Sequence, residues 1–287
     1  MACEGNEISI DVKINDSTAE KREFALFLEA IYSKYGYDFR NYTEASMYRR
    51  IRLIMDDKGI DSVAALTRNV LQDEAMFDEV IQSFSIVVTE LFRDPRFYKA
   101  LRHYVVPLLK QYPNINIWHA GCATGEEVYS LAVLLKEEGI YDRATILATD
   151  LNNRVLDVAR EGVYPLAIVE EHIGNFVAGG GKGLLTQYYQ AQGDKAVFSS
   201  ALKENMTFSW HNMATDKMDA GMHLILCRNV IIYFNKALKN RVLRLFKTSL
   251  IKGGILCLGA NESLYPSVVF DDFMALSNKQ RVYQKLD

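Results

Sequence analysis

The chain has 287 residues, of which 49% are hydrophobic and 24% are charged, and its formal net charge at pH 7 is −3. This composition predicts a folded protein of one or two domains, with two favoured, and excludes a largely disordered chain. The acidic balance gives no reason to expect nucleic acid as a partner. Residues 1–16 have no signal-peptide pattern and no stretch approaches the roughly 20 apolar residues of a membrane span, so we expect a cytoplasmic protein without direct membrane insertion.

Helical periodicity dominates the N-terminal part of the chain, from about Glu20 to Phe84. Apolar residues recur there at spacings of three and four, which places them on one helix face. The first such set is Phe24, Phe27, Leu28 and Ile31. Three breaks divide the region into short helices, at Tyr35-Gly36-Tyr37, Asp57-Lys58-Gly59 and Asp73-Glu74. We predict a frayed N-terminus over residues 1–19, an all-helical domain over 20–84 and a linker helix over 85–112.

Residues 113–287 show a different pattern, in which short apolar runs alternate with amphipathic helices. The predicted strands are Ile115–Ala120, Thr145–Thr149, Thr207–Trp210, Leu224–Cys227, Ile255–Leu258 and Val282–Gln284. The predicted helices are Glu126–Glu138, Asn152–Arg160 and Lys236–Leu250, the last ended by Gly253-Gly254. This order predicts a doubly wound α/β domain with a parallel sheet. Residues 164–205 interrupt the alternation and predict a small β insertion.

A turn rich in small residues joins the first predicted strand to the next helix, from Gly121 to Gly125. Doubly wound folds bind nucleotide-like ligands at this turn. A dinucleotide site would show G-x-G-x-x-G, but the spacing here is G-x-x-x-G, and Glu126 and Glu127 follow it. Two carboxylates repel a phosphate and suit a ligand that carries an ammonium and a sulfonium, which favours S-adenosylmethionine over NAD. The alternative is that both glutamates merely favour a helix N-terminus.

Asp150 ends the next predicted strand, 25 residues after Gly125. An acid at this point of such folds accepts hydrogen bonds from ribose hydroxyls, although a helix cap would also explain it. His119 and His211 flank the motifs and are interpreted as structural. The five scattered histidines have no metal-ligand spacing, so no metal site is predicted.

Several further motifs occur in order along the chain: Val88-Thr89-Glu90-Leu91-Phe92-Arg93-Asp94, Gly121-Cys122-Ala123-Thr124-Gly125-Glu126-Glu127-Val128-Tyr129-Ser130, Ala148-Thr149-Asp150-Leu151, His211-Asn212-Met213, and Cys227-Arg228-Asn229-Val230-Ile231-Ile232-Tyr233-Phe234. Together they resemble the CheR family of chemoreceptor glutamate methyltransferases, from about Glu23 to Lys285. The sequence departs from the family pattern at Leu91 (usually Phe), Ala123 (Ser), Val128 (Pro) and His223 (commonly Asp).

The resemblance implies a doubly wound, Rossmann-like class I methyltransferase sheet with a separate all-helical N-terminal domain and a small β insertion. It implies S-adenosylmethionine as cofactor and S-adenosylhomocysteine as product. The residues that it places at the cofactor are Val87, Thr89, Arg93, Gly121, Glu126, Glu127, Asp150, Asn212, Met213, Arg228 and Asn229, with either Glu126 or Glu127 making the contact. Arg93 and Tyr233 are implied near the methyl group as the catalytic residues.

The implied reaction esterifies glutamate side chains of a chemoreceptor or receptor-like signalling protein in sensory adaptation. A glutamate is already ionised at pH 7, so it needs no general base. Arg49, Arg50 and Arg52 form a basic cluster that either docks acidic receptor helices or is an ordinary solvated face. We expect a monomer. The alternatives are a catalytically silent cofactor-binding adaptor, a small-molecule methyltransferase and, least favoured, a nicotinamide dehydrogenase.

Overall fold

The computed structural model describes residues 18–84 and 89–287, and the chain divides into two units, 1–84 and 85–287. In the described part of the first unit the helices are α1 (Thr18–Tyr35), α2 (Glu44–Lys58), α3 (Val63–Gln72) and α4 (Glu74–Phe84). The three predicted breaks coincide with the gaps between them. α2 ends at Lys58 and is capped by Gly59, which has a φ of +62°, a conformation that glycine adopts without a steric cost.

The apolar stripes of these helices meet in one core within the helical unit. Phe27, Ile31, Ile51, Leu66 and Val80 are each fully buried there. Deletion of such a side chain typically costs about 2–5 kcal/mol, so these contacts, rather than helix propensity, hold the short helices in place.

The second unit carries the predicted parallel sheet. Its strands and those of the insertion, over residues 89–287, are β1 (Ile115–Ala120), β2 (Ala144–Asp150), β3 (Val163–Pro165), β4 (Tyr189–Gln192), β5 (Lys195–Phe198), β6 (Met206–Trp210), β7 (Met222–Cys227), β8 (Leu250–Leu258), β9 (Phe273–Ser277) and β10 (Val282–Lys285). The main sheet has the order β6-β2-β1-β7-β8-β10-β9. Its first five strands run parallel, and β10 pairs antiparallel with both neighbours.

Helices cover this sheet and connect its strands. Over the same residues they are α5 (Pro95–Ala100), α6 (Val106–Leu109), α7 (Glu126–Glu137), α8 (Asn153–Glu161), α9 (Leu166–Glu171), α10 (Ile173–Ala178), α11 (Ser200–Lys203) and α12 (Lys236–Ser249). A five-residue π-helix, Leu101–Val105, joins α5 to α6. Leu101 and Leu109 from this segment share one core with Ile117 of β1 and Leu134 of α7, so the segment is an integral part of the second unit.

The insertion is a small antiparallel sheet of order β3-β5-β4 with α9 and α10 beside it. The turn between β4 and β5 is formed by Gly193-Asp194, with Gly193 at a φ of +62°. Tyr164 of β3 packs edge-on against Tyr129 of α7, which attaches the insertion to the main sheet's helical layer. The predicted fold class is therefore confirmed.

Two local predictions differ from the structure near the C-terminus. Gly253-Gly254 was expected to end the helix that begins at Lys236, but that helix ends at Ser249 and β8 begins at Leu250 and runs through both glycines. Gly254 fits because a Cβ there would lie 3.1 Å from the carbonyl oxygen of Met222 on the neighbouring strand. Strand β9 was not predicted, since it lies at the sheet edge and alternates in burial only weakly.

Among the residues described, none of the helices combines the length and the apolar character that a membrane crossing requires.

Candidate active site

The carboxyl ends of the parallel strands bring the predicted site residues to one edge of the sheet, as this fold requires. The Gly121–Gly125 loop follows β1, Asp150 ends β2, and the residues after β6 and β7 are Asn212 with Met213 and Arg228 with Asn229. Residues far apart in sequence thus become neighbours because β2, β1 and β7 are adjacent strands.

The loop after β1 has an unusual backbone. Gly121 and Gly125 have φ values of +78° and +93°, and Ala123 between them has +47°. The amides of Gly121 and Cys122 both donate to the carbonyl oxygen of Thr149, at 2.8 and 2.9 Å. A Cβ on Gly125 would lie 2.9 Å from the Cβ of Ala159, so glycine is needed there for close packing against α8.

The carboxylate of Asp150 supports this loop from the end of β2. One oxygen accepts a hydrogen bond from the Ala123 amide and the other from the Asn152 amide, both at 3.0 Å. Burial raises the pKa of Asp150, although these backbone hydrogen bonds oppose the shift. Each oxygen keeps a lone pair for a further donor, so Asp150 can accept from ribose hydroxyls while it holds the loop.

The two adjacent glutamates at the start of α7 occupy different environments. Glu126 is partly exposed, and one of its oxygens accepts from the Thr124 hydroxyl at 2.7 Å. Burial raises the pKa of Glu126 to about 7. Glu127 is 8% exposed, and it accepts from Arg228 at 2.6 Å and lies 3.2 Å from Nε2 of His119.

Glu127 and Arg228 form a buried ion pair. Burial alone would raise the pKa of Glu127, but the charge of Arg228 and the contact with His119 outweigh it and bring the pKa to about 2. Arg228 donates its second Nη to Asp94 at 2.6 Å and stacks over the ring of Phe97 at 3.9 Å. This network joins the first turn of α7, the end of β7 and the segment before α5.

Arg93 is held in a strained turn beside that network. Its neighbours Phe92 and Asp94 have φ values of +54° and +58°, which non-glycine residues rarely adopt. The Phe92 amide donates to the Ser130 hydroxyl at 2.9 Å, and the Asp94 carboxylate is bound by Arg228. Arg93 itself is partly exposed, as is Thr89 at the start of this segment.

Asn212 leaves an unpaired donor at the same edge of the sheet. Its side-chain oxygen accepts from the Ala214 amide at 2.9 Å and its backbone amide donates to Asp216. The residue is 3% exposed, and its Nδ2 atom has no hydrogen-bond partner. A buried amide without a partner is costly, which indicates that a ligand acceptor satisfies it. Met213 follows and is partly exposed.

Glu262 is a site residue that sequence reasoning missed. It is 3% exposed, and its carboxylate accepts hydrogen bonds from the amides of Asn229, Val230, Ile232 and Gly259. Tyr233, the predicted catalytic tyrosine, is partly exposed and ends the 3₁₀ turn Ile231–Tyr233 of the same segment. The signal that could have revealed Glu262 is an acid near the carboxyl end of a parallel strand: Glu262 lies four residues after β8 ends at Leu258, and Asp150 is the last residue of β2.

The remaining predictions for this region have mixed outcomes. Val87 lies outside the described residues. His119 contacts Glu127, and His211 packs edge-on against Trp118, with ring centroids 5.4 Å apart. Both positions agree with a structural role. Of the described residues, no group of three or more His, Cys, Asp or Glu side chains could hold a metal ion.

The predicted docking cluster needs one correction. Arg49 is exposed on α2, and Arg52 is partly exposed and pairs with Glu20. Arg50 is instead buried, and its guanidinium donates to the carbonyl oxygens of Ser83, at 3.0 Å, and Phe84. Because Arg50 satisfies carbonyl groups at the end of α4, it is a structural residue of the helical unit rather than part of a docking face.

Comparison with known proteins identifies the family. Residues 87–279 match the model described as "CheR methyltransferase, SAM binding domain", and residues 22–85 match "CheR methyltransferase, all-alpha domain". The chain belongs to the CheR methyltransferase family.

A Pseudomonas putida protein named Cher3 is 45% identical over 263 residues, which cover 92% of this chain and 96% of that one. The "Chemotaxis protein methyltransferase" of Listeria monocytogenes is 29% identical, with 85% and 91% coverage. The protein of the same name from Borreliella burgdorferi is 29% identical, with 90% and 92% coverage.

The donor set at the sheet edge fits S-adenosylmethionine, the cofactor of the CheR family. Asp150 offers acceptors for ribose hydroxyls, Glu126 offers a carboxylate for an ammonium, and Asn212 offers an unpaired donor for an adenine nitrogen. The G-x-x-x-G spacing and the two glutamates after it, Glu126 and Glu127, favour this cofactor over NAD, and the family confirms the prediction. The protein is thus an S-adenosylmethionine-dependent methyltransferase.

Proposed function

We propose that this CheR protein methylates glutamate side chains of a chemoreceptor or a receptor-like signalling protein, giving glutamyl methyl esters and S-adenosylhomocysteine. When bound, S-adenosylmethionine supplies a methyl group on a positively charged sulfur. The chain's own residues then have to bring a carboxylate oxygen into line with that methyl group and keep it there. The observation that carries the proposal is the way in which Arg93 is presented.

Arg93 lies between two non-glycine residues of positive φ, in a turn that is anchored at both sides. Strain of this kind costs about 1–3 kcal/mol per residue and persists where the surrounding structure enforces it. The Ser130 hydroxyl holds the turn at Phe92, and Arg228 holds it at Asp94. Arg93 is partly exposed in this anchored turn, and we assign it to the incoming substrate carboxylate.

The contacts of three histidines support a methyl acceptor that is already ionised. His119 is buried against Glu127, and Nδ1 of His172 lies 3.3 Å from the Leu91 amide, which it accepts from. His211 contacts the carbonyl oxygen of Lys217 at 3.2 Å. These side chains are engaged within the protein, and an alcohol or amine acceptor would need a base that a glutamate does not need.

Tyr233 is assigned to orient the acceptor by a hydrogen bond from its hydroxyl group. It lies on the turn that Glu262 holds, five residues after Arg228 in the chain. The O–H of a phenol can donate a hydrogen bond to a carboxylate oxygen.

For the cofactor's ammonium group we assign Glu126 rather than Glu127. Both oxygens of Glu127 are engaged, by Arg228 and His119, and the pair is buried. Glu126 is partly exposed and pairs with the Thr124 hydroxyl through one oxygen. In this assignment Glu127 fixes Arg228, and Glu126 contacts the ligand.

Receptor docking is assigned to the helical unit through Arg49 and Arg52 on α2. Arg49 is exposed and three residues before Arg52, so the two share a helix face. A receptor segment that presents ionised target glutamates carries negative charge there, and a basic face increases the rate at which such a segment associates.

The test is to incubate the protein with methyl-labelled S-adenosylmethionine and membranes that carry the organism's receptors, and to measure label released as methanol by mild alkali. Methyl esters release their label under these conditions, so we expect alkali-labile label on receptor protein. Arg93→Ala and Tyr233→Phe should each lower the rate at least about tenfold, equivalent to roughly 1.4 kcal/mol.

Matched controls come from the same region: Arg96 is exposed on α5, and Tyr104 is 39% exposed in the π-helix. Arg96→Ala and Tyr104→Phe should leave the rate within twofold. Cofactor binding by the wild-type protein without any label on receptors would contradict the proposal and favour the adaptor alternative. Label on a small molecule instead would favour the other alternative.

A further inference from the structure

Glu262 is a buried acid that takes no direct part in the proposed methyl transfer. One of its oxygens accepts from the amides of Val230, at 2.8 Å, and Ile232, at 3.2 Å. The other accepts from the amides of Gly259, at 2.6 Å, and Asn229, at 3.0 Å. Burial raises the pKa of Glu262, and the four backbone hydrogen bonds oppose that shift. Its carboxylate is therefore surrounded by the protein's own donors and cannot reach a substrate.

The backbone amides of the turn after β7 need a hydrogen-bond acceptor from another part of the chain. β7 ends at Cys227, so the amides of Asn229, Val230 and Ile232 have left the sheet and have no partner strand. Asn229 also has a φ of +61°, which turns successive amides toward one point. Such a concave group of amides binds an anion, and the anion here is a side chain of the same protein.

This turn also packs against the cofactor loop. A Cβ on Gly121 would lie 2.6 Å from a γ-methyl group of Val230, so the Val230 side chain occupies the space above Gly121. Gly259 completes the arrangement, because a Cβ there would lie 2.7 Å from the Asn229 nitrogen and 2.8 Å from the Glu262 carboxylate. The position of Val230 thus sets the separation between the turn after β7 and the loop after β1.

We propose that Glu262 is a positioning residue for cofactor binding and methyl transfer: it fixes the turn that carries Asn229 and Tyr233 and, through Val230, its distance from the Gly121–Gly125 loop. The part of this inference that concerns methyl transfer rests on the proposed function, whereas the part that concerns cofactor binding does not.

The first variant is Glu262→Gln in the full chain. The amide keeps the size of the side chain but replaces one acceptor by an NH₂ group that faces two backbone N–H donors. We expect the Kd of S-adenosylhomocysteine, measured by calorimetry, to rise at least tenfold among folded molecules. If the wild-type protein methylates receptors, the single-turnover rate at saturating cofactor should fall at least tenfold as well.

The matched control is Glu137→Gln. Glu137 is another acid of the second unit, with a side chain that is 4% exposed, and it accepts from Arg102 and from the Lys182 amide. It ends α7, roughly 16 Å along the helix from Glu126. A purely structural role for Glu262 predicts that both variants lose stability and that neither changes the Kd among folded molecules. A positioning role predicts instead that Glu262→Gln raises the Kd, while Glu137→Gln keeps the Kd within twofold of the wild-type value.

Gly259→Ala keeps the Glu262 charge but places a Cβ against the Glu262 carboxylate and the Asn229 amide, so it decides the question if Glu262→Gln does not fold. It should raise the Kd at least fivefold. A Kd within twofold of wild type in the folded Glu262 variant, or in Gly259→Ala, would overturn the inference. Failure of the proposed function is a separate result: no receptor is methylated by the wild-type protein, while the Kd values still decide the role of Glu262.

Discussion

The buried charges at the sheet edge and the exposed charges on α2 are held in different ways. At the sheet edge, Arg228 is 7% exposed and binds Glu127 and Asp94 with short hydrogen bonds. On α2, Arg49 is exposed and Arg52 pairs with Glu20 across a partly exposed contact. Water screens the Arg52–Glu20 pair, whereas the Arg228–Glu127 pair is buried and is screened much less.

This difference separates groups that form the site from groups that meet a partner. A buried ion pair is costly to break because the remaining charge has no water around it. An exposed pair contributes little to stability and can exchange its partner for another acid. Arg50 shows that neighbours on one helix can belong to different classes, since it is buried on the helix whose outer face carries Arg49.

The largest effect is expected at the buried pair. Arg228→Met keeps much of the side chain's volume but leaves the Glu127 carboxylate without its main partner, which should lower the free energy of unfolding by roughly 3–5 kcal/mol. Denaturant unfolding of the full chain measures this loss. Adding Glu127→Gln to Arg228→Met should recover at least half of it, because the unpaired charge is removed. A double variant as unstable as the single one would show that the pair is not what stabilises this edge.

Sequence reasoning predicted the parts of this region that depend on local spacing. The turn after β1, the acid that ends β2 and the succession of strands and helices along the chain could be predicted because periodicity and glycine spacing act over a few residues. The contacts of Arg228 could not, since its partners Glu127 and Asp94 lie 101 and 134 residues away in the chain. Ion pairs between such distant residues can be predicted only when the order of the strands in the sheet is known.

The same limit explains what was missed or wrong elsewhere. Arg50 looked like its neighbours because a basic residue within a basic run predicts solvent exposure, and only the packing of α4 gives it buried carbonyl groups to bind. Gly253-Gly254 resembled a helix stop, but these residues lie inside β8. Glu262 belonged to none of the motifs, because its partners are backbone amides and carry no residue signature.

An effect of intermediate size should distinguish the two adjacent glutamates. Burial raises the pKa of Glu126 to about 7, whereas Glu127 has a pKa of about 2 and stays ionised at neutral pH. An ammonium ligand prefers the ionised form of Glu126. Cofactor affinity should therefore increase as pH rises through 7 and be lost as pH falls, by about tenfold between pH 8 and pH 6.

Calorimetric titration with S-adenosylhomocysteine at pH 6, 7 and 8 measures this dependence. Glu126→Gln should weaken binding at pH 8 and flatten the pH profile. A wild-type affinity that does not change over this range would assign the ammonium contact to Glu127. It would then be wrong that Glu126 binds the ligand and that Glu127 has only a structural role.

The smallest effect is expected on the exposed face. Arg49→Glu combined with Arg52→Glu should raise the receptor KM about five- to tenfold at low ionic strength and leave kcat unchanged, because docking and alignment use different residues. The effect should shrink as salt is added. Arg68→Glu, which reverses another exposed arginine of the helical unit, is the matched control and should change KM less than twofold. If receptor methylation were unchanged by the double reversal, or if kcat fell instead of KM rising, then the face of α2 would not be the docking surface, and the contrast between exposed and buried charge would not separate docking from catalysis.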